Sequence, residues 1–376
     1  MLERALAAPN RWALEAIGRD RVDYLVSNTM TELNRKLNSF VWTYELKAQI
    51  VRVIDEAPGV KTYVVRPNQH WRGFKAGQHV EVSLNIDGEV VPRHYSISPL
   101  PNGRFSFTVK RVEGGKASGW IHQHLHAGTV LKIGHAQGRF CRDVNSFGKA
   151  LYLVAGSGIT PCHSMVNDSL RKAPSQAQDL QVITQFKSSA EVIFAQTLQR
   201  WAQAGVKVHT AFSQGSATGQ SLPGVSSSAR LDANMLVAQC PDIASREVYL
   251  CGPDGFMQAM MGHLQALGVD AKRIHTERFS FASDAASPDA NFQAEGAEVY
   301  FQHLDTRVTL TAADQGKTLL QIAQDHGVPV ESGCCQGMCG TCRLVAHEGQ
   351  VSGNALGKVV YLCTAYPASR SLVLDT

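Results

Sequence analysis

The feature that most constrains this chain is a run of cysteines and glycines near its C-terminal end, ESGCCQGMCGTCR, at residues 331–343. Cys334, Cys339 and Cys342 stand in C-x4-C-x2-C order, and Cys363 is the only cysteine that follows them. Glycines interleave with the cysteines, where the backbone must turn tightly and approach the sulfurs closely. Four thiolates that converge from such a loop predict a metal centre, around which this part of the chain has to wrap.

The spacing of the cysteines indicates which metal centre to expect. C-x4-C-x2-C with a later fourth cysteine is the pattern by which plant-type ferredoxins hold a [2Fe–2S] cluster. Zinc sites usually use paired C-x2-C knuckles, and buried cysteines rarely show these offsets. Cys335 adjoins Cys334, and one loop cannot direct neighbouring side chains at the same cluster. We therefore predict that the ligands of the cluster are Cys334, Cys339, Cys342 and Cys363.

The length and composition of the chain bound its class. At 376 residues it is long enough for about two to three domains. No apolar run approaches the ~18 residues of a membrane span, and the N-terminus, MLERALAAPNRW, lacks the apolar core and cleavage site of a secretory signal. Nine cysteines at irregular spacing favour a reducing compartment over a disulfide framework. We expect a cytoplasmic protein.

Charge is divided unevenly along the chain. From residue 295 onward, eight Asp and Glu residues stand against five Lys and Arg residues, a net charge of −3. Because the whole chain carries +4, the part before residue 295 carries +7. A basic N-terminal part and a mildly acidic cluster domain suit docking between redox domains. Neither net charge is large enough to indicate that the protein binds nucleic acid.

The C-terminal module begins after a segment of small and polar residues, ASDAASPDANFQAEG. This composition is typical of a linker, which we place at residues 282–297. Two short strands are predicted over residues 298–304 and 308–310, and a helix over 317–324, before the cluster loop. That order favours a small β-grasp domain over residues 298–376.

Before the linker, the hydrophobic pattern changes near residue 145. Residues 44–141 alternate apolar and polar positions, with a hairpin signal at Asp87-Gly88, which predicts an antiparallel β-barrel over residues 43–146. From residue 151 the strands become continuous apolar runs, LYLVA, LQVIT and EVYLC, separated by helical stretches. This alternation predicts an α/β domain with a buried parallel sheet over residues 147–281, of which EVYLC is the last strand.

Residues 1–42 are predicted to form a helical extension. Thr29 and Glu32 fit a capping box, and apolar residues follow at helical spacing. A helix packed on the barrel and a contact with a partner or membrane surface both fit this pattern.

Two segments of the barrel carry residue types that a flavin needs. Arg93–Ser96, RHYS, offers a cation for a phosphate, an aromatic face and a small hydroxyl that could bond near the reactive N5. Val109–Arg111 then leads into Gly114–Ser118, GGKAS, before a predicted helix. Glycine backbone, a lysine and a helix N-terminus suit a pyrophosphate. The alternative to a binding site is a hairpin turn with solvent-exposed charges. The two segments together favour a flavin.

Two turns in the α/β half suit a dinucleotide. Gly156-Ser157-Gly158 follows the first apolar run, although Pro161 stands where a full G-x-G-x-x-G would have its third glycine. The segment CGPDGFM follows EVYLC with Cys251 at the strand tip. Ligands of open α/β sheets bind beyond the carboxyl ends of the strands, where both turns are expected.

RHYS, GKAS, GSGITP, CGPDGFM and C-x4-C-x2-C occur in one order over nearly the whole chain, and in this the chain resembles the ferredoxin–NADP reductase superfamily with a C-terminal plant-type ferredoxin module. The resemblance favours FAD, with FMN as the alternative, and it implies that Ser96 lies near N5. We further predict that Ser96 and Cys251 are catalytic residues on opposite sides of the hydride path. The implied flavin-binding residues are Arg93, His94, Tyr95, Ser96, Val109, Lys110, Gly115, Lys116, Ala117 and Ser118. The implied nicotinamide-binding residues are Gly156, Ser157, Gly158, Ile159, Thr160, Cys251, Gly252 and Pro253.

The chain departs from the family pattern in two places. The interval between Cys342 and Cys363 is shorter than in most plant-type ferredoxins. The aromatic residue expected at the end of the nucleotide domain is ambiguous, because HTERFSF offers Phe279 and Phe281, of which we prefer Phe281.

This resemblance implies a reductase that oxidises NADPH or NADH. Nicotinamides release two electrons together, a cluster accepts one at a time, and a flavin can do both. The sequence shows no substrate pocket or oxygen-activating iron, so the acceptor is expected to be another protein. We expect NADPH, whose 2′-phosphate Lys187 or Arg230 could bind, although both residues also fit as surface charges.

Three hypotheses for the function and the acceptor are consistent with the sequence. The N-terminal extension resembles that of reductases of acyl-lipid desaturases, so a fatty-acid desaturase is the first expectation, with peripheral membrane association through that acceptor. The alternative is the reductase component of a Rieske or di-iron oxygenase or demethylase. The third hypothesis belongs to a different functional class: a redox-sensing or binding module whose flavin site is inactive.

Overall fold

A computed structural model describes residue 40 and residues 43–142, 148–214, 222, 224, 230–279, 288–332, 337 and 340–376. The predicted extension over residues 1–42 thus lies almost wholly outside the described residues. The described part forms three sheets: a closed barrel, a five-stranded sheet and a six-stranded sheet. This confirms the predicted fold class of an antiparallel barrel, a parallel α/β domain and a ferredoxin domain.

The barrel is antiparallel, with strand order β1-β2-β5-β4-β3-β6. Its hairpin between β3 and β4 turns at Asp87 and Gly88, both with positive φ (54° and 83°), as a tight two-residue turn requires. Inward-facing aromatic and β-branched side chains fill the interior, among them the fully buried Tyr63 and Phe105. One helix, α1, connects β5 to β6. The bounds are β1 Lys47–Ala57, β2 Val60–Pro67, β3 His79–Ile86, β4 Glu89–Pro99, β5 Phe105–Lys110, α1 Lys116–His124 and β6 Val130–Ile133.

The α/β domain has a parallel sheet in the order β11-β10-β7-β8-β9, with helices connecting the strands. The continuous apolar runs are buried along their length because helices cover the sheet. The bounds are β7 Ala150–Ala155, α2 Ile159–Lys172, β8 Leu180–Phe186, α3 Ala195–Gln203, β9 Lys207–Phe212, α4 Ala233–Gln239, β10 Glu247–Cys251, α5 Asp254–Ala266 and β11 Ile274–Glu277.

The prediction that EVYLC is the last strand of this sheet is wrong. A further strand, β11, pairs in parallel with β10 and forms the edge of the sheet. Its sequence, IHTE, holds one strongly apolar residue, so hydrophobic pattern alone does not mark it. It is a strand because β10 offers a free parallel edge and the C-terminal domain covers it.

The C-terminal domain is a six-stranded mixed sheet packed on one helix, in the order β13-β12-β17-β14-β16-β15. The first strand ends at Phe301, earlier than predicted, because residues 302–304 form a 3-10 turn. Thr318 and Gln321 cap the helix reciprocally. The bounds are β12 Glu298–Phe301, β13 Thr306–Thr309, α6 Leu319–Asp325, β14 Arg343–Glu348, β15 Val351–Leu356, β16 Val359–Pro367 and β17 Ser371–Asp375.

The ferredoxin and α/β domains share a buried apolar interface. Leu356, Val359 and Tyr361 of the ferredoxin sheet pack in one cluster with methionines of α5, including Met260 and Met261. The Tyr361 hydroxyl lies 2.7 Å from the Thr276 hydroxyl of β11. Methionine side chains adapt to irregular surfaces, which suits a junction between two separately folded sheets. The ferredoxin domain is therefore docked on the edge of the nucleotide sheet.

Among the described residues, no helix combines the length and the apolar character needed to cross a membrane.

Candidate active site

The barrel and the α/β domain meet at a buried cluster of polar side chains. Ser96 of β4 donates to the Glu277 carboxylate at 3.4 Å, and His79 of β3 lies 3.4 Å from the other oxygen of Glu277. All three residues are at most 5% exposed. Ser96 and His79 are brought together by the β3–β4 ladder, in which they are direct partners. A buried carboxylate needs such partners, because an uncompensated charge in this setting is costly.

The segment Arg93–Ser96 presents the side chains that the sequence predicted for a flavin. The Tyr95 ring stacks on Phe107, with centroids 5.4 Å apart, and burial holds the pKa of its phenol well above the ordinary value. The His94 ring meets His79 edge-on, and the Arg93 side chain is exposed. This places an aromatic ring, a buried hydroxyl and an exposed cation along one strand. The arrangement fits an isoalloxazine ring with a phosphate nearby.

The GKAS segment begins α1 at a tight turn. A Cβ on Gly115 would lie 2.7 Å from the Ser118 hydroxyl, so the turn leaves no room for a side chain there. The Ser118 hydroxyl accepts the Val112 amide at 3.0 Å and thereby shapes the loop, while Ala117 is buried against the barrel. A groove of about 390 Å³ opens at this turn, lined by Gly59, Arg111, Val112, Glu113, Gly114, Gly115 and Gly119. Glycine backbone and an arginine at a helix start fit a pyrophosphate.

Two lysines near this turn form ion pairs. Lys116 contacts Glu89 at 2.7 Å on the surface. Lys110 contacts Glu191 of the α/β domain at 3.3 Å, which links the two domains beside the predicted flavin site. Val109 lies in the barrel core, and its carbonyl lies 3.0 Å from Nε2 of His122, so its backbone anchors α1.

The two predicted nucleotide turns touch each other at the carboxyl edge of the parallel sheet. A Cβ on Gly158 would lie 2.3 Å from the Cys251 carbonyl oxygen, so only glycine permits this approach. The Thr160 hydroxyl donates to the Ser157 carbonyl at 3.0 Å and closes the turn that precedes α2. Gly156 has a positive φ of 53°, Ile159 is buried, and Pro253 is exposed at the rim. The turns thus form one continuous backbone surface at the strand tips.

Cys251 is fully buried at the end of β10. Burial, and then the nearby Glu277 carboxylate, raise the pKa of its thiol far above the ordinary value, so the thiol stays protonated. In the β10–β11 ladder Cys251 and Glu277 are direct partners. Glu277 therefore stands between the two residues predicted to be catalytic, since it also accepts the Ser96 hydroxyl. The catalytic assignment of Ser96 and Cys251 remains a prediction.

The cluster loop is described in part, and Cys334, Cys335 and Cys339 lie outside the described residues. Cys342 is 3% exposed, and its carbonyl accepts the Leu362 amide, which brings it beside Cys363. The Gly337 amide donates to Cys363 Sγ at 3.2 Å. Positive φ at Gly337 (68°) and Gly340 (69°) gives the tight turns that the sequence predicted. Two cysteines on neighbouring backbone segments and a backbone donor aimed at one sulfur fit an iron–sulfur cluster.

Sequence reasoning missed Glu277 and Arg278. Both are at most 5% exposed, although acidic and basic residues are rarely buried without a partner. The signal that could have found them was the HTERF segment itself, where two adjacent charges follow a buried run at the end of a domain. Phe279 is 38% exposed, and Phe281 lies outside the described residues. The choice between these aromatic residues is therefore still a prediction.

Three family models match successive parts of the chain. An oxidoreductase FAD-binding domain matches residues 48–141, and an oxidoreductase NAD-binding domain matches residues 153–261. A 2Fe-2S iron-sulfur cluster binding domain matches residues 301–368. Each match spans the part of the chain in which the sequence predicts the corresponding cofactor-binding residues.

Individual proteins are similar over most of the chain. The glycine betaine monooxygenase reductase subunit of Chromohalobacter salexigens is 30% identical over 317 residues, which cover 80% of this chain and 85% of that protein. A protein of the 1,2-phenylacetyl-CoA epoxidase of Escherichia coli, one of its subunits, is 29% identical over 335 residues, covering 83% and 91%. The structure of phthalate dioxygenase reductase matches with a TM-score of 0.51 at 21% identity, covering 89% of this chain and 98% of the other, and shows the shared fold.

Proposed function

The chain belongs to the flavin-dependent reductases of the ferredoxin–NADP reductase superfamily that carry a C-terminal [2Fe–2S] ferredoxin domain, and we propose that it is the reductase component of a Rieske or di-iron oxygenase. The observation that carries this proposal is the 30% identity, over 85% of its length, with the reductase subunit of a monooxygenase. The protein is an NAD(P)H oxidoreductase with FAD and a [2Fe–2S] cluster, and its acceptor is another protein.

We propose a role for the chain's own residues at each stage of electron transfer. When bound, the flavin accepts a hydride from the nicotinamide and releases single electrons to the cluster. We propose that the turns at Gly158 and Gly252 hold the nucleotide by their backbone. Tyr95 would cover one face of the flavin ring, and Ser96 would hydrogen-bond near N5. The buried thiol of Cys251, kept protonated, would pack near the nicotinamide without acting as a nucleophile.

The comparisons favour an oxygenase over the desaturase that the N-terminal extension suggested. Neither relative named above is a desaturase reductase, and both are subunits of oxygen-inserting enzymes by name. The N-terminal extension, residues 1–42, lies outside the three matched domains, the first of which begins at residue 48. A redox-sensing module gains no support, because the relatives are oxidoreductase subunits.

We propose domains with boundaries at residues 43–146, 147–281 and 298–376. Ala294 belongs to the buried core of the ferredoxin domain, and its amide donates to the Gln315 side chain. The last residues of the proposed linker, 282–297, therefore pack on the domain that they precede.

Reconstitution with the candidate acceptors tests the proposal. The purified reductase, NADPH or NADH, and candidate Rieske and di-iron oxygenase components would be combined with amine and aromatic substrates. Substrate-dependent oxygen uptake with product formation supports the oxygenase reading. The matched reaction uses a membrane acyl-lipid desaturase in its place. Double-bond formation with the desaturase, and no product with any oxygenase, would contradict the proposal.

A further inference from the structure

A buried chain of hydrogen bonds joins the nucleotide domain to the cluster loop. It begins at Arg278, which directly follows Glu277 and is 5% exposed. The Arg278 Nε and Nη2 atoms donate to Asp254 Oδ1 at 2.9 and 2.6 Å, at the start of α5 behind the nucleotide turn. The remaining terminal nitrogen, Nη1, donates to Asn354 Oδ1 in the ferredoxin domain. One guanidinium thus connects the two domains.

Asn354 is placed for this contact by an irregularity in the ladder between β15 and β16. The register shifts between Gly353 and Ala355, so Asn354 alone stands opposite residues 361–364 of β16, where the extra residues of the bulge lie, and it is 1% exposed. Bulges commonly redirect a side chain at a functional position. Because a guanidinium only donates, the amide oxygen of Asn354 has to face Arg278. The amide nitrogen is thereby directed at the cluster loop.

That nitrogen holds the turn beside Cys363. It donates to the Gly337 carbonyl at 3.1 Å and lies 3.1 Å from the Thr364 hydroxyl. A Cβ on Gly337 would come within 2.2 Å of the Asn354 nitrogen, so the contact also requires glycine. The Gly337 amide in turn donates to Cys363 Sγ at 3.2 Å. Asn354 therefore fixes the residue whose N–H meets the predicted ligand sulfur.

We propose that Arg278 and Asn354 are positioning residues that lock the ferredoxin domain on the nucleotide domain and hold the Gly337 amide against the Cys363 sulfur. The inference rests on Cys363 being a cluster ligand. The lock itself exchanges neither electrons nor protons. Its effect is to make the flavin-to-cluster distance a fixed property of the folded protein.

The lock has a second consequence, for the reduction potential of the cluster. Hydrogen bonds to the ligand sulfurs are among the terms that set this potential. An N–H donor stabilises the more negatively charged, reduced cluster, so its loss moves the potential to more negative values. A purely structural contact between domains would not move this quantity.

The Asn354→Asp variant separates the lock from its effect on the loop. Aspartate still accepts from Arg278 but presents an oxygen, without a donor, to the Gly337 carbonyl. We expect a more negative midpoint potential in an EPR-monitored redox titration, both in Asn354→Asp and in Asn354→Ser, which adds no negative charge near the cluster. We also expect the rate of cytochrome c reduction, divided by the stopped-flow rate of flavin reduction, to fall, because a cluster of more negative potential takes up electrons less readily. Arg278→Lys cannot fork to both Asp254 and Asn354 and should lower the same ratio.

A surface pair between the same domains supplies the matched control. Lys272 contacts Asp375 at 2.9 Å with the lysine side chain 49% exposed, so Lys272→Met should leave the potential and the ratio at their wild-type values. Asn354→Ser, which is too short to span both contacts, is measured in the same way and also serves if Asn354→Asp does not retain its cluster. Wild-type potential and ratio in the cluster-containing Asn354 variant would overturn the proposal. Because cytochrome c replaces the natural acceptor, failure of the oxygenase assignment would not affect this result. A wild-type protein with no [2Fe–2S] EPR signal would overturn both the proposed lock and the cluster assignment.

Discussion

The hydroxyl of Ser96 lies 3.4 Å from the carboxylate of Glu277, although 181 residues separate them in the chain. The first residue belongs to the flavin barrel and the second to the edge strand of the nucleotide sheet. Because Glu277 is also the ladder partner of Cys251, one carboxylate connects the two predicted catalytic residues across the domain boundary. The register of two different sheets therefore sets the geometry of the proposed hydride path.

Removing either side chain of this path should slow the reduction of the flavin. We predict that Ser96→Ala and Cys251→Ala lower the stopped-flow rate at saturating NAD(P)H by up to about 100-fold, because the reacting atoms lose their alignment. Flavin content and the visible spectrum of the cluster should be unchanged. Ser83→Ala on the adjacent strand serves as the control, because its hydroxyl bonds to Glu81 rather than to Glu277. Wild-type reduction rates in both active-site variants would contradict the proposed geometry.

The site residues were predicted from sequence where local spacing carries the chemistry. The residues of RHYS, of GKAS and of each glycine turn are adjacent in the sequence, so these motifs can be recognised without knowledge of the fold. Glu277 ends a short polar strand and Arg278 follows it, and their partners Ser96 and Asn354 are far away in the chain. Only the closing of the barrel against the sheet, and the docking of the ferredoxin domain, bring these pairs together. For the same reason the edge strand β11 was missed.

The cluster prediction concerns the choice among five cysteines. Serine at Cys334, Cys339, Cys342 or Cys363 should each abolish the visible absorbance and EPR signal of the cluster, since the hard hydroxyl is a poor substitute for a thiolate ligand. Cys335→Ser is the matched control and should retain both signals. A cluster that survives Cys334→Ser and is lost in Cys335→Ser would reverse the assignment of the first ligand.

Loss of the cluster should separate two activities. In Cys342→Ser we expect NAD(P)H–ferricyanide activity to persist, because it draws electrons from the flavin, while cytochrome c reduction falls at least tenfold. This full-length variant is preferable to a truncation near residue 281, which would expose the methionines that pack against Tyr361. Full cytochrome c activity in Cys342→Ser would show that electrons leave directly from the flavin.

His163 should make the fold sensitive to acid. Its ring stacks on Phe194, and Nδ1 lies 2.9 Å from the Ser98 hydroxyl of the barrel. Burial, and then the charge of Arg200, lower the pKa of His163 to about 3. Below about pH 6.5 the imidazole of His163 becomes protonated in the unfolded chain but stays neutral in the folded protein. The free energy of unfolding therefore decreases as the pH falls from about 6.5 toward 3. Between pH 7 and 5 the loss should be roughly 1–2 kcal/mol.

Chemical denaturation at pH 7 and pH 5 measures this loss. In His163→Gln the difference between the two pH values should shrink by about the amount assigned to His163, even though the variant is less stable at pH 7. His126→Gln, which alters an exposed loop histidine, should keep the wild-type difference. An undiminished difference in His163→Gln would assign the acid sensitivity to other groups.

The expected preference for NADPH depends on a lysine at the sheet edge. Lys187 is exposed directly after β8, at the carboxyl edge where the nucleotide turns lie. If it pairs with a 2′-phosphate, Lys187→Ala should raise KM for NADPH roughly tenfold, the effect of losing one charge-assisted hydrogen bond, and leave KM for NADH unchanged. Arg230→Ala tests the second candidate in parallel. Equal turnover of both nucleotides by the wild-type protein would contradict the preference itself.

The contact between the two nucleotide turns should tolerate no side chain at Gly158. A Cβ there would lie 2.3 Å from the Cys251 carbonyl oxygen and 2.7 Å from the Gly252 nitrogen, and backbone atoms cannot move aside as a flexible side chain can. Gly158→Ala should therefore push the turns apart, destabilise the protein by about 1–3 kcal/mol and weaken nucleotide binding. Gly262→Ala is the control, because its Cβ would meet nothing within 4 Å in the middle of α5, where alanine stabilises a helix by up to about 1 kcal/mol. Thermal denaturation and nucleotide titration compare the two variants, and a Gly158→Ala protein as stable as Gly262→Ala, with unchanged nucleotide affinity, would show that the turns do not depend on this close approach.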